Sequence, residues 1–187
     1  MKNFFTVIFL VLTFVVNAQI KVDNIVLDYE VEYNGETLKL NGAGTRSGFF
    51  IGKLYVGALY LQEKSHDPMA IAFGNENMAI HLEITSRLIT KENLLKAIEE
   101  GYEKATDGNT KPLKSKIDKI RSLYINKINK GDKIDFVYIK DKGVFCYHNK
   151  KELGLVEGLD FKAAHFKIWL GEKPASKSLK EQMLGKS

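Results

Sequence analysis

The sequence predicts an α+β domain, a curved antiparallel sheet with a layer of helices on one face. The order of patterns is the first reason. Strand-like segments precede two helical ones, more strands follow, then two more helices, without the βαβ alternation of a parallel sheet. The second is the stretch Gly42 to Leu61, GAGTRSGFFIGKLYVGALYL, whose run from Leu54 to Leu61 is almost unbroken apolar. Such a run, rich in Tyr, Leu and Val and preceded by glycines, belongs to a strand covered on both faces. The third is Asn34-Gly35 between two alternating segments, a hairpin signal because both residues tolerate positive φ.

Met1-Lys2-Asn3, an apolar core from Phe4 to Val16 and the small-residue pattern Val16-Asn17-Ala18 open the chain. This is the layout of a secretory signal peptide over 1–18, and its apolar core is shorter than the ~20 residues a membrane span needs. The expectation is an exported protein, periplasmic or secreted, that starts at Gln19 and keeps no stable membrane anchor. Residues 19–187 suit one domain with a sizeable core. Cys146 is the only cysteine, so no internal disulfide forms. Without Lys2, 27 Lys and Arg face 23 Asp and Glu. That small surplus fits an anionic small ligand or a membrane surface at least as well as nucleic acid.

Leu27 to Tyr33 and Glu36 to Leu40 flank Asn34-Gly35 as the first hairpin, and the Gly42–Leu61 stretch supplies a third, longer strand. Asp67-Pro68 starts one short helical turn. Met78 to Thr85 alternates, with Ala79, His81, Glu83 and Thr85 on its more polar face. Thr90 caps a helix to about Ala105, whose stripe is Leu94, Ile98, Tyr102 and Ala105. Pro112 starts a second helix to about Tyr124. Lys133 to Lys140, Val144 to Tyr147 and Leu153 to Val156 form a meander. Asp160 caps a long helix ending at Gly171, and Ser178 with Glu181 has capping-box spacing for a last short one.

Arg46 stands among Gly42, Gly44 and Gly48, which remove Cβ atoms where a backbone or a ligand comes close. Its guanidinium never loses its charge, so at the mouth of a buried strand it needs a protein carboxylate or a ligand anion. The structural alternative is an arginine bridging two loops. With few acceptors nearby in sequence, ligand binding is the stronger reading.

Other motifs carry less. Gly42-x-Gly44 lacks the third glycine of a dinucleotide site and opens a strand. Cys146 with His148, and His81 with Glu83, have the spacing that any strand gives, so no metal and no cofactor are expected. The Lys-rich span 111–133 includes Asp118 and Asp132 and reads as a solvated helix face, not a nucleic-acid surface. His165, Phe166 and Trp169 read as core.

GAGTR followed by LYVGALYL resembles the entry to the chalcone isomerase fold. FKAAHFKIWLGEKPASKSLKEQMLG is similar to the closing helices of that family's bacterial exported branch. The resemblance spans roughly Asp28 to Gly185 and implies an open-faced β-sandwich. The ligand cleft would lie between sheet and helices, with Leu94, Ile98 and Tyr102 on one wall.

The plant isomerases of this family use an arginine, a strand threonine, a tyrosine and asparagine on a helix, and a late threonine or serine. Those places fall on Arg46, on Tyr55, near Asn93 and Glu100, and near Ile168. Only the arginine matches, so chalcone ring closure is not expected. The related plastid fatty-acid-binding proteins hold a carboxylate with an arginine and a tyrosine, which fall on Arg46 and Tyr55.

The resemblance therefore implies a non-catalytic protein for a carboxylate-bearing apolar ligand such as a fatty acid. An arginine fork and a phenol donor suit that headgroup chemically. The alternative is an isomerase or lyase on another substrate, with Arg46 stabilising an oxyanion and Tyr55 as donor. A third reading is an interaction module with a vestigial cleft. On one continuous strand, positions 46 and 55 have opposite parity, so they converge only if a bulge or bend intervenes near Gly48 to Gly52.

Overall fold

The structure is a computed structural model that describes residues 19–48, 50–124 and 126–186. Residues 1–18, which carry the predicted signal peptide, lie outside the described residues. Seven strands form one antiparallel sheet in sequence order: β3 (Glu30–Tyr33), β4 (Glu36–Gly48), β5 (Gly52–Leu61), β6 (Met78–Ile84), β7 (Lys133–Ile139), β8 (Gly143–His148) and β9 (Lys151–Val156). A separate hairpin of β1 (Gln19–Val22) and β2 (Ile25–Asp28) precedes it.

Central β5 shows why its sequence does not alternate. Tyr55, Leu59 and Leu61 join the core beneath the helices, while Val56, Ala58 and Tyr60 join a second core on the opposite face. Ile20, Val22, Ile25 and Leu27 of the small hairpin pack onto that second core. Both faces of the strand are dry, so both sets of side chains are apolar.

The helical layer consists of α1 (Pro68–Phe73), α2 (Lys91–Ala105), α3 (Lys114–Leu123), α4 (Leu159–Leu170) and α5 (Lys177–Met183), with a 3-10 turn over Lys111–Leu113. This is the predicted α+β architecture, a curled antiparallel sheet with helices layered on one face. Helix α2 begins and ends as its pattern predicts, Thr90 accepting from the amide of Asn93. It buries Leu94, Ile98 and Tyr102. Asp67 caps α1 by accepting from the amides of Met69 and Ala70.

Four local expectations change. Gly42 to Leu61 is two strands joined by a turn, not one long strand. The predicted strand Leu27 to Tyr33 breaks at Tyr29, whose carbonyl accepts from Leu40 N at 2.7 Å. The long helix α4 starts after Gly158, because Asp160 lies in its first turn and binds Lys116 at 2.6 Å. Helix α5 is capped by Ser176, which accepts from Leu179 N, and not by Ser178.

Candidate ligand-binding site

Two register shifts in the β4–β5 pair decide where Arg46 points. The first lies between Leu40 and Gly42, the second between Arg46 and Ser47. Asn41 is the extra residue of the first, and its side-chain amide donates to the carbonyls of Ser65 and Met183, both at 2.9 Å. Past this bulge Gly42, Gly44 and Arg46 pair with Leu59, Gly57 and Tyr55 on the helix-facing side. The second shift, which leaves Leu54 of β5 as its extra residue, removes the parity problem together with the chain reversal after Gly48. Arg46 and Tyr55 are direct partners on adjacent strands.

The Arg46 guanidinium lies beside the Tyr55 ring, its carbon 5.5 Å from the ring centroid. Arg46 Nη1 is 3.5 Å from Tyr55 Oη. That exceeds the ~3.2 Å limit of an ordinary N–H···O bond, so the contact leaves the guanidinium largely uncommitted. Among the described residues Arg46 has no carboxylate partner. Trp169 of α4 donates its indole N–H to Tyr55 Oη at 3.0 Å. Trp169 donates to the phenol oxygen, Arg46 offers only a second donor at longer range, and the phenol's own proton has no acceptor among the described residues.

Trp169 was read from the sequence as core, and it is buried, but its indole nitrogen fixes the phenol. The signal available was the residue type itself, since a buried Trp N–H usually finds an acceptor. Leu94, Ile98 and Tyr102 lie in the same apolar layer as Tyr55. That layer is close-packed: Tyr55, Leu94, Ile98, Tyr102 and Trp169 are each at most 4% exposed. A cavity of about 480 Å³ opens at the far end of β5, lined by Leu61, Ile71, Gly74 and Met78. It is roughly 20 Å from Tyr55 by strand rise, and has no part in the Arg46 site.

The remaining positions are structural in their geometry. Asn93 donates to Leu88 O at 2.9 Å, at the start of α2. Ile168 packs against Gly101, where a Cβ would come within 2.7 Å of its Cγ2. Glu100 is exposed on α2. His165 shares a 2.6 Å hydrogen bond with Tyr102, and complete burial pushes its pKa down to about 3, so it is neutral. The residues weighed as metal ligands have other partners: His81 binds Asp135, His148 binds Asp132, and Glu83 meets Lys133. Cys146 lies in the helix-facing core.

What the site can do chemically is receive an anion. It presents a cation and a phenol proton, with no carboxylate or histidine bonded to either among the described residues. The sheet and its helical layer, with this pair at one strand end, define the class. Residues 18–185 match the chalcone isomerase-like family model, and the chain belongs to that family. Among solved structures it is similar to a fatty-acid binding protein of Arabidopsis thaliana, AtFAP1. The identity is 14%, the match covers 86% of this chain and 92% of that one, and the TM-score is 0.68. No curated protein matches the sequence.

Proposed function

We propose that the protein binds a carboxylate-bearing apolar ligand, a fatty acid being the simplest, with Arg46 and Tyr55 on the headgroup. One observation carries this: two adjacent donors, a guanidinium without a carboxylate and a phenol proton without an acceptor, share the helix-facing side of the sheet. Buried polar groups are seldom left unmatched, and a carboxylate accepts from both at once. The apolar layer around Tyr55 supplies the surroundings an acyl chain requires. Because that layer is close-packed, chain entry must displace side chains of α2 and α4. The name of AtFAP1 agrees with a lipid ligand.

Export belongs to the same proposal, resting on the pattern of residues 1–18. The test of the binding reading is calorimetric titration with a long-chain acid and its methyl ester. The acid binds and the ester, which has lost the charge but kept the chain, binds at least tenfold more weakly. Equal affinity for the two would remove Arg46 and Tyr55 as the headgroup site.

A further inference from the structure

The turn between β4 and β5 presents apolar side chains to solvent. Phe50 is 96% exposed and Ile51 54% exposed. Phe50 has φ +66, a left-handed conformation that bulky residues rarely adopt. The turn is held from behind, Ile51 N donating to Gly48 O at 3.3 Å and the Ile51 side chain lying over Gly48.

A second loop sits alongside. The amides of Thr85 and Ser86 both donate to Leu54 O, at 3.0 and 3.1 Å, which ties the segment after β6 to the base of the turn. This segment exposes Leu88, 51% accessible, and Arg87. Arg46 and Arg87 have no carboxylate partner among the described residues, whereas Lys53 reaches back to Asp23. Three exposed apolar side chains and two arginines without a carboxylate partner among the described residues therefore occupy one end of the sheet.

We infer that this end docks on an anionic lipid surface, with Phe50, Ile51 and Leu88 entering the interface and the exposed Arg87 meeting acidic headgroups. Three large apolar side chains exposed on two adjoining loops form a patch, not a scattered single residue. An apolar tip flanked by cations matches the two components of peripheral membrane binding, insertion and headgroup attraction. Charge complementarity selects an anionic lipid surface over a second copy of the chain, which would bring the arginines of two tips together. Docking at this end also sets Arg46 and Tyr55 next to the lipid phase, yet it does not depend on what they bind.

The experiment is co-sedimentation of residues 19–187, which contain every strand and helix described. Vesicles are of phosphatidylcholine alone or mixed with phosphatidylglycerol. The parent protein is expected to pellet with the anionic vesicles, to stay in solution with the neutral ones, and to be released by added salt. Phe50→Ser with Ile51→Ser lowers the bound fraction about tenfold, and Arg87→Glu weakens binding with a smaller salt dependence. Circular dichroism and an unchanged melting temperature show that the double variant is folded.

The inference fails if the parent stays in solution with both vesicle types, or if the double variant binds as well as the parent. It also fails if the tip instead drives self-association that the double variant abolishes. Fatty-acid affinity is measured without vesicles, so loss of the membrane reading leaves the carboxylate reading standing, and the reverse.

Discussion

Arg46 and Tyr55 face each other across the β4–β5 ladder, with Nη1 3.5 Å from the phenol oxygen. The separation is too long for the two groups to satisfy one another, and short enough for one carboxylate to accept from both. Arg46→Ala is expected to weaken binding of a long-chain acid by about 2–3 kcal/mol, a factor of ~30–150. Ester binding should barely change, since the ester gains little from the charge. The half-buried Arg46 anchors no other element, so the melting temperature should hold. A sharp fall in melting temperature with unchanged acid affinity would make Arg46 structural.

Tyr55 and Trp169 form a second testable pair, because each satisfies a buried group of the other. Tyr55→Phe leaves the Trp169 N–H buried without an acceptor and should cost about 1–3 kcal/mol of stability. Trp169→Phe removes that donor and frees the phenol to rotate, lowering acid affinity by about 1 kcal/mol. In the double variant no orphan donor remains. Its stability loss should be smaller than the sum of the two single losses, measured by denaturant unfolding as a double-mutant cycle. Simple additivity would mean the 3.0 Å contact contributes nothing.

The first step of the chain is checked by intact mass. Protein recovered from its own compartment is expected to begin at Gln19, with residues 1–18 removed. A mass that retains Met1, found with the membrane fraction, would reverse the export proposal.

Some of this architecture was legible because a residue's pattern admits only one environment. The run from Leu54 to Leu61 has no polar face, so burial on both sides follows directly. Helix α2 was placed correctly because a capping Thr90 and an apolar stripe at helical spacing agree. The turn at Gly48 to Gly52 was hidden by its own composition. Phe50 and Ile51 read as continuing the strand, whereas Phe50 turns the chain at positive φ.

Caps were misplaced where two candidates stood close together. Ser176 and Ser178 lie on the same short approach to α5, and only backbone geometry decides between them. The β1–β2 hairpin was missed because Asp23, at φ 54, turns the chain without a glycine. Arg46 and Tyr55 were named from the sequence, but their pairing depends on the extra residue Leu54 in β5. Leu54 is held there from a distant segment, its carbonyl accepting from the amides of Thr85 and Ser86.

Gly42 and Gly44 give a comparison within one strand. A Cβ at Gly42 would overlap the backbone carbonyl of Gln182 and approach that of Met183 at 2.7 Å, both at the end of α5. A Cβ at Gly44 meets the side chain of Gln182, whose amide end can turn away but whose Cβ, 2.6 Å off, moves only with α5. Gly42→Ala should therefore cost about 2–3 kcal/mol as overpacking against a rigid neighbour, and Gly44→Ala less, because only part of its obstacle is rigid. For a chain of this size the first corresponds to a fall of roughly 4–12 °C in melting temperature. Equal effects would mean that α5 shifts freely on the sheet.

His81 makes stability depend on pH in a stated direction. It lies on the sheet face opposite the helices, its Nδ1 2.5 Å from Asp135 and its Nε2 3.9 Å from Glu83. Burial alone would push its pKa down, but the bonds to Asp135 and Glu83 outweigh burial and raise it to about 9. The unfolded chain has an ordinary histidine near ~6.5. The folded state therefore binds the proton more tightly, and this contribution is fully present below about pH 6.5. It is lost as pH rises through about 9, since the unfolded chain releases its proton first. A gap of that size is worth at most about 3 kcal/mol. Denaturant unfolding across pH 6 to 9.5 should show parent stability declining through this window, and His81→Gln should flatten the decline. The variant should differ most from the parent at the acidic end, where the imidazolium is paired with two carboxylates. If parent and variant fall in parallel, His81 is neutral in the folded protein and its bond to Asp135 carries no charge.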